Sequence, residues 1–174
     1  LVKAHVVCGE KTGKRRGKVI QNIRLRTMKT TDLAAVYALV QNTIAVSYAG
    51  VYPPEAIEFF KNHHSRENIL NDLARGYIVV AESSGLLLGT GTIIETSIRR
   101  VFINPEYQHH GIGKIIANKL ERKAGAAGLA KLDLSAALKS RQFWEAMGFV
   151  ANAEFALAVA NGQKLIFYEM TKTL

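Results

Sequence analysis

The sequence predicts a single α/β domain, and three observations carry that reading. Strand-patterned and helix-patterned runs alternate along the chain with no internal repeat or linker between them. At 174 residues the chain is long enough for one core that buries roughly 70% of the unfolded surface without staples. Its 48% hydrophobic and 21% charged residues are a globular composition, which excludes disordered, collagenous and repetitive classes.

The elements follow in order. Asn22–Met28 alternates Ile23, Leu25 and Thr27 against Arg24, Arg26 and Met28, as a strand with one wetted face does. Thr30, Thr31 and Asp32 supply N-caps for a helix with apolar residues at Leu33, Val36, Tyr37, Val40 and Ile44, closed near Gly50. Pro53-Pro54 starts a second helix over Glu55–Asn62, because proline loses no hydrogen bond at the first helical position. Ser65 caps a third through Ile69, Leu70 and Leu73, with Gly76 as its stop. From Tyr77 the period changes: Tyr77–Glu82 is apolar and β-branched, and Leu86–Ile94 is apolar and glycine-spaced. Tyr77–Glu82 and Leu86–Ile94 flank Ser83-Ser84-Gly85 as strands of a meander, and Ile98–Asn104 is a third strand ended by Pro105. Ile112–Ala127 repeats apolar residues at Ile112, Ile115, Ile116, Leu120 and Ala124, a long amphipathic helix closed by Gly128. Lys131–Ala136 is a strand and Ser140–Met147 a short helix stopped by Gly148. Phe149–Ala160 and Gln163–Lys172 form a hairpin around Asn161-Gly162.

Charge is unevenly placed. The net charge is +9, yet residues 1–29 hold nine basic groups against Glu10, and the rest of the chain holds 14 against 13 acids. The body is therefore near neutral and offers no basic face or interleaved aromatics for nucleic acid. Residues 1–21 read as a basic leader of poorly ordered or foreign sequence, ahead of a domain over 22–174. A nucleic-acid or membrane-surface arm is the competing reading. The leader lacks the apolar core of a secretory signal, and no run approaches the ~18 apolar residues of a spanning helix. The lone Cys8 excludes an internal disulfide framework and fits a reducing, cytoplasmic compartment.

Chemistry concentrates in Val101–Lys114. A strand stopped by Pro105 leads through Gln108-His109-His110-Gly111-Ile112-Gly113 into the long helix. Glycines there let the backbone turn and approach a ligand. The first helical amides lack internal acceptors, and the dipole adds about +0.5 charge at that end, so the loop suits a phosphate or pyrophosphate. It is not a P-loop: Gly113-Lys114 is followed by Ile115, and residue 108 is Gln where that motif has glycine. A dinucleotide fingerprint would need a third glycine.

The segment resembles a known family. Gln108-x-x-Gly111-x-Gly113 matches the acyl-CoA loop of the GNAT N-acetyltransferases. Phe143-Trp144-Glu145-Ala146-Met147-Gly148-Phe149 resembles that family's second signature, and Tyr168 to Leu174 its last strand. The resemblance covers Ile23 to Leu174. It implies a GNAT-type fold, a central mixed, mostly antiparallel sheet flanked by helices in one domain. It also implies an acyl-CoA-dependent N-acetyltransferase that passes an acetyl group from acetyl-CoA to a primary amine by direct attack in a ternary complex. Val101, Phe102 and Ile103 would offer backbone groups to the pantetheine arm and thioester. Gln108, His109, His110, Gly111, Ile112, Gly113 and Lys114 would hold the pyrophosphate. A base must take the ammonium proton first, since an amine with pKa near ~10 is protonated at neutral pH. Glu95 and Asp133 are the candidates, each of which also reads as a solvent-facing strand carboxylate.

Two departures from the family bear on mechanism. Trp144 stands where it often has an acidic Tyr, and Ala136-Ala137-Leu138-Lys139 lacks its usual Asn. An indole N–H donates a hydrogen bond but is no proton source, leaving Tyr168, Tyr107, water or an unprotonated thiolate. No metal is expected: adjacent histidines such as His109-His110 point apart and no carboxylate or Cys completes a set. His63-His64 reads as a helix C-terminus, where positive charge is favourable. Tyr48 and Tyr52 read equally as pocket lining or as packing. The acceptor is a small molecule or a protein amine, and a homodimer stays open. The competing functions are a CoA-binding regulator without catalysis and, resting on the leader alone, a nucleic-acid binder.

Overall fold

The computed structural model describes residues 22–174, so the basic leader over 1–21 lies outside the described residues. The chain runs β1 (Arg24–Thr27), α1 (Leu33–Ser47), α2 (Pro54–His63), α3 (Arg66–Arg75), β2 (Tyr77–Ser83), β3 (Leu86–Ile94) and β4 (Ser97–Ile103). It continues through α4 (Ile112–Ala126), β5 (Lys131–Ala137), α5 (Arg141–Ala146), β6 (Val150–Ala158) and β7 (Lys164–Thr173). The seven strands make one sheet in the order β1-β2-β3-β4-β5-β7-β6. Every pairing is antiparallel except β4 with β5. This is the mixed, mostly antiparallel sheet of the GNAT-type fold.

Alternation sends the strands' side chains to two cores. Val101, Ile103, Leu134 and Met170 join Ile116, Leu120 and Trp144 on one face. Phe102, Ala137, Leu165 and Phe167 join Ile44, Tyr48, Phe60 and Ile69 on the other. Gly91 explains the glycine spacing of β3: a Cβ there would lie 2.5 Å from Ile116, so glycine lets α4 close onto the sheet.

The sheet opens at one seam. β4 and β5 share the single rung Ser97–Asp133. Beyond it β5 pairs only with β7, from Leu134–Met170 to Ala137–Phe167. β4 stays on β3 but carries a bulge: the rungs Thr92–Arg99 and Thr90–Phe102 leave Gly91 facing both Arg100 and Val101. Arg100 has φ +54 there. A gap thus widens between the C-terminal halves of β4 and β5.

Several expectations need correction. The face of β1 expected to be wet is tied down, since Arg26 bonds Asp32 at 2.6 Å and Glu82 at 2.8 Å. Thr30–Asp32 is a short 3-10 turn, and the Asp32 carboxylate accepts from the Lys29 N–H at 2.7 Å and makes no cap bond to α1. Arg26 also pulls the Asp32 pKa below its usual value. Leu70 and Ile115 face outward, while Ile69 and Asp72 take the buried side of α3. The hairpin forms, but its rung Ala158–Lys164 leaves a five-residue connection in place of a two-residue turn. Asn161 and Gly162 both sit at positive φ, and the Asn161 side chain bonds Glu55 at 2.9 Å.

Candidate active site

The mouth of the β4–β5 gap is built by the segment between β4 and α4. The Asn104 side chain accepts from the Glu106 N–H and sets the turn at Pro105. Gln108 ties the loop to its surroundings, donating to Ser47 Oγ at 3.1 Å and to the Ile103 carbonyl at 3.2 Å. His109 and Gly111 adopt left-handed backbone, φ +65 and +77, which turns the chain into the first residue of α4. No atom lies within 4 Å of where a Gly111 Cβ would stand, so that side of the loop is open. The amides that open α4 have no acceptor within the helix, and the dipole makes this end attractive to an anion.

A cavity of about 260 Å³ lies here, lined by Ile103, Tyr107, Gln108, His109, Gly111, Ile112, Gly113 and Lys114 with Phe143, Ala146 and Met147 of α5 and its end. Seven of the ten expected cofactor contacts therefore meet at one cavity. His110 does not line it; its Nδ1 donates to the Gln108 carbonyl and braces the loop. Val101 and Phe102 are buried in the two cores, which leaves their backbone for any ligand. The Ile103 carbonyl is engaged by Gln108 and by the Thr43 hydroxyl at 3.3 Å. Tyr107, Ala146 and Met147 had no sequence signal for this role; Phe143 had one, as the first aromatic of the second signature.

The candidate proton-transfer groups are spread out. Asp133 sits at the apex of the gap, opposite Ser97, and accepts from the Thr96 hydroxyl at 2.9 Å. Glu95 is exposed in the turn just before β4, at φ +53. Tyr168 lies on β7 opposite Ala136, towards the open end, with Arg141 stacked 4.4 Å over its ring. Trp144 is fully buried between Phe143 and Phe149, and its Nε1 has no hydrogen-bond partner among the described residues.

The paired tyrosines resolve towards packing. Tyr48 and Tyr52 are buried with Phe60 in an aromatic cluster with centroids 4.5 to 5.2 Å apart. The Tyr52 hydroxyl also donates to the Ile166 carbonyl at 2.8 Å and accepts from the Leu138 N–H at 2.9 Å. It thereby ties the α1–α2 junction to the ends of β5 and β7. A second cleft, about 430 Å³, lies beside α2 and is lined by Pro54, Glu55, Glu58, Phe59, Asn62, Val159 and Ala160. Among the described residues no cluster of His, Cys, Asp or Glu could hold a metal, and no helix is long and apolar enough to cross a membrane.

Comparison with known proteins agrees with this fold. The family model described as "Acetyltransferase (GNAT) domain" matches residues 48–174, and the chain belongs to the GNAT acetyltransferase family. A curated relative, the spermidine N(1)-acetyltransferase of Thermoplasma acidophilum, is 28% identical over 121 residues, covering 60% of this chain and 73% of that protein. A GCN5-related N-acetyltransferase structure from Rhodopseudomonas palustris aligns with a TM-score of 0.81 at 24% identity, over 90% of this chain and 99% of that one. The PaiA N-acetyltransferase of Thermoplasma acidophilum, solved with coenzyme A, aligns with a TM-score of 0.69 at 22% identity, over 88% of this chain and 100% of that one.

Proposed function

We propose that the protein transfers an acetyl group from acetyl-CoA to a primary amine of a small molecule or a protein. The observation that carries this reading is the seam: β4 and β5 part after one rung, and the glycine loop opening α4 stands at the mouth of the gap. A relative of this chain solved with coenzyme A and one named for spermidine acetylation point the same way.

In this reading the amides from Gln108 to Lys114 take the pyrophosphate of the cosubstrate, and the pantetheine arm enters between β4 and β5. The left-handed turn at Gly111 keeps a side chain out of the anion's approach. Backbone groups of Val101 to Ile103 orient the thioester, and an amide there meets the oxyanion that develops on attack. The amine nitrogen forms the new C–N bond, the C–S bond breaks, and CoA leaves as thiolate. Asp133, at the apex of the gap, removes the ammonium proton through water; Glu95, exposed in the turn before β4, is the second candidate. Tyr168 on β7 or Tyr107 in the cavity lining is the protein acid, with water as the alternative, unless the thiolate leaves unprotonated.

Polyamines are the first acceptors to try, because a curated relative is named for spermidine acetylation. The cleft beside α2, with Glu55, Glu58 and the Phe59 ring in its lining, would suit an alkylammonium if the amine displaces Asn161 from Glu55 and Lys61 from Glu58. The test is a coupled assay of CoA release with acetyl-CoA and a panel of amines, with product mass measured. Acetylated amine at turnover well above the uncatalysed background supports the reading. CoA binding without transfer to any amine or peptide would favour a regulatory protein.

A further inference from the structure

Arg100 stands in β4 with left-handed backbone, φ +54, a conformation that a long side chain adopts only when its surroundings hold it there. The holding groups come from outside the sheet. Arg100 Nε donates to Asp72 Oδ2 of α3 at 2.8 Å, and one terminal nitrogen meets His64 Nδ1 at 2.6 Å. Arginine has no acceptor, so His64 Nδ1 must accept. The same nitrogen reaches the His63 carbonyl at 3.4 Å, and Arg99 approaches Asp72 Oδ1 at 3.7 Å. Arg100, Asp72 and His64 are almost wholly buried, at 4%, 3% and 0% exposure. The His64 ring in turn stands edge-on to Phe102 at 5.0 Å.

The place of this network matters more than its strength. Arg100 is one of the two β4 residues that face the single residue Gly91, so it makes the bulge. The bulge lies beyond the last β4–β5 rung, Ser97–Asp133, and directly before Val101. An extra residue in one strand breaks the ladder and re-aims the backbone groups that follow. A straight β4 would instead continue alongside β5 and fill the gap.

We infer that Arg100, anchored by Asp72 and His64, is a positioning residue that holds the β4 bulge and so aims the Val101–Ile103 backbone at the thioester. This inference rests on the acetyl-transfer reading above. It makes the α2–α3 junction part of the catalytic apparatus, although no group there touches the substrate.

The experiment compares Arg100→Gly with Arg100→Met in the full-length protein, after calorimetry and turnover of the parent. Glycine adopts positive φ without an anchor, whereas methionine keeps the unbranched apolar stem but neither the anchor nor the backbone freedom. If the bulge is what matters, the Gly variant retains more kcat than the Met variant. The Met variant loses about tenfold or more in kcat while the acetyl-CoA KM changes little, since a small misplacement acts on the transition state. A merely structural ion pair gives the reverse order, because glycine removes all of the packing; a Met variant equal to or faster than Gly overturns the inference. Should either variant fail to fold, Asp72→Asn carries the test: a fall of about tenfold in kcat supports the anchor, and unchanged turnover overturns it. A parent that neither binds CoA nor transfers acetyl overturns the acetyl-transfer reading and the positioning role together. An active parent with an unaffected Met variant overturns the positioning role alone.

Discussion

His63 closes α2 with its ring 6.1 Å from that of Phe59, and it is not the charged helix end that its position suggested. Burial first, and then the Arg100 guanidinium, push its pKa from 6.5 down to about 4, with Asp72 opposing and Arg99 assisting. Between those values the unfolded chain binds a proton that the folded chain refuses, so stability falls as the pH drops through that window. Melting temperatures measured from about pH 7 to about pH 4 are expected to decline, and less steeply in His63→Asn. Parallel declines would place the titrating group elsewhere. Trp144 is the other residue whose role its surroundings define. It is packed against Phe143 and Phe149 at centroid distances of 4.9 and 5.1 Å, and we propose that it packs the core behind the cavity and supplies no proton, since an indole N–H is no proton source. Trp144→Phe is expected to stay within about tenfold of parent turnover and Trp144→Tyr to match or exceed it, whereas loss of a general acid costs ~10²–10⁴-fold. A well-folded Phe variant slowed beyond about a hundredfold contradicts this.

Elements with a clear period were legible, and those shaped by distant contacts were not. β3 at Leu86–Ile94 follows from an apolar run after the Ser83-Ser84-Gly85 turn, and α4 from Ile112 follows from its helical period and glycine stop. The turn that leads from β4 into α4 was legible because a strand stop, two glycines and a helix start are local signals. The bulge in β4 was invisible: it depends on Asp72 and His64, 28 and 36 residues away, and no local pattern encodes such a partner. The first cap went astray for the same reason, since Asp32 serves Arg26 across a strand edge. Tyr52 belongs here as well, because a loop tyrosine gives no hint that its hydroxyl joins two strand ends. Tyr52→Phe strands the Leu138 N–H and the Ile166 carbonyl together. It is expected to cost about 1–3 kcal/mol in denaturant unfolding with little change in CoA affinity. A neutral substitution would mean that water replaces the hydroxyl.

At the scale of the molecule, the sheet is a two-sided core interrupted at one seam, and helices from both faces meet that seam. α4 and α5 bring the loop and Phe143 to its mouth. α2 and α3 bring His64 and Asp72 to the bulge. The described elements begin at Arg24 and the family match at Tyr48, so deleting residues 1–20 is expected to leave melting temperature and turnover near parent values. A truncated protein that loses its acceptor would make the leader a functional arm. The central claim is that acetyl-CoA enters at the loop opening α4, and Gly111 tests it most directly. Its φ of +77 excludes a β-branched side chain, while a Cβ on Gly113 would make ordinary contacts with the Phe143 ring at 3.4 Å and Ile103 at 3.8 Å. Calorimetric titration of CoA into the parent, Gly111→Val and Gly113→Ala therefore decides the matter. One-site binding by the parent, weakened by about tenfold or more in Gly111→Val (about 1.4 kcal/mol) and much less in Gly113→Ala, is the expected result. Equal dissociation constants for the parent and a folded Gly111→Val would contradict it and move the cosubstrate away from this loop.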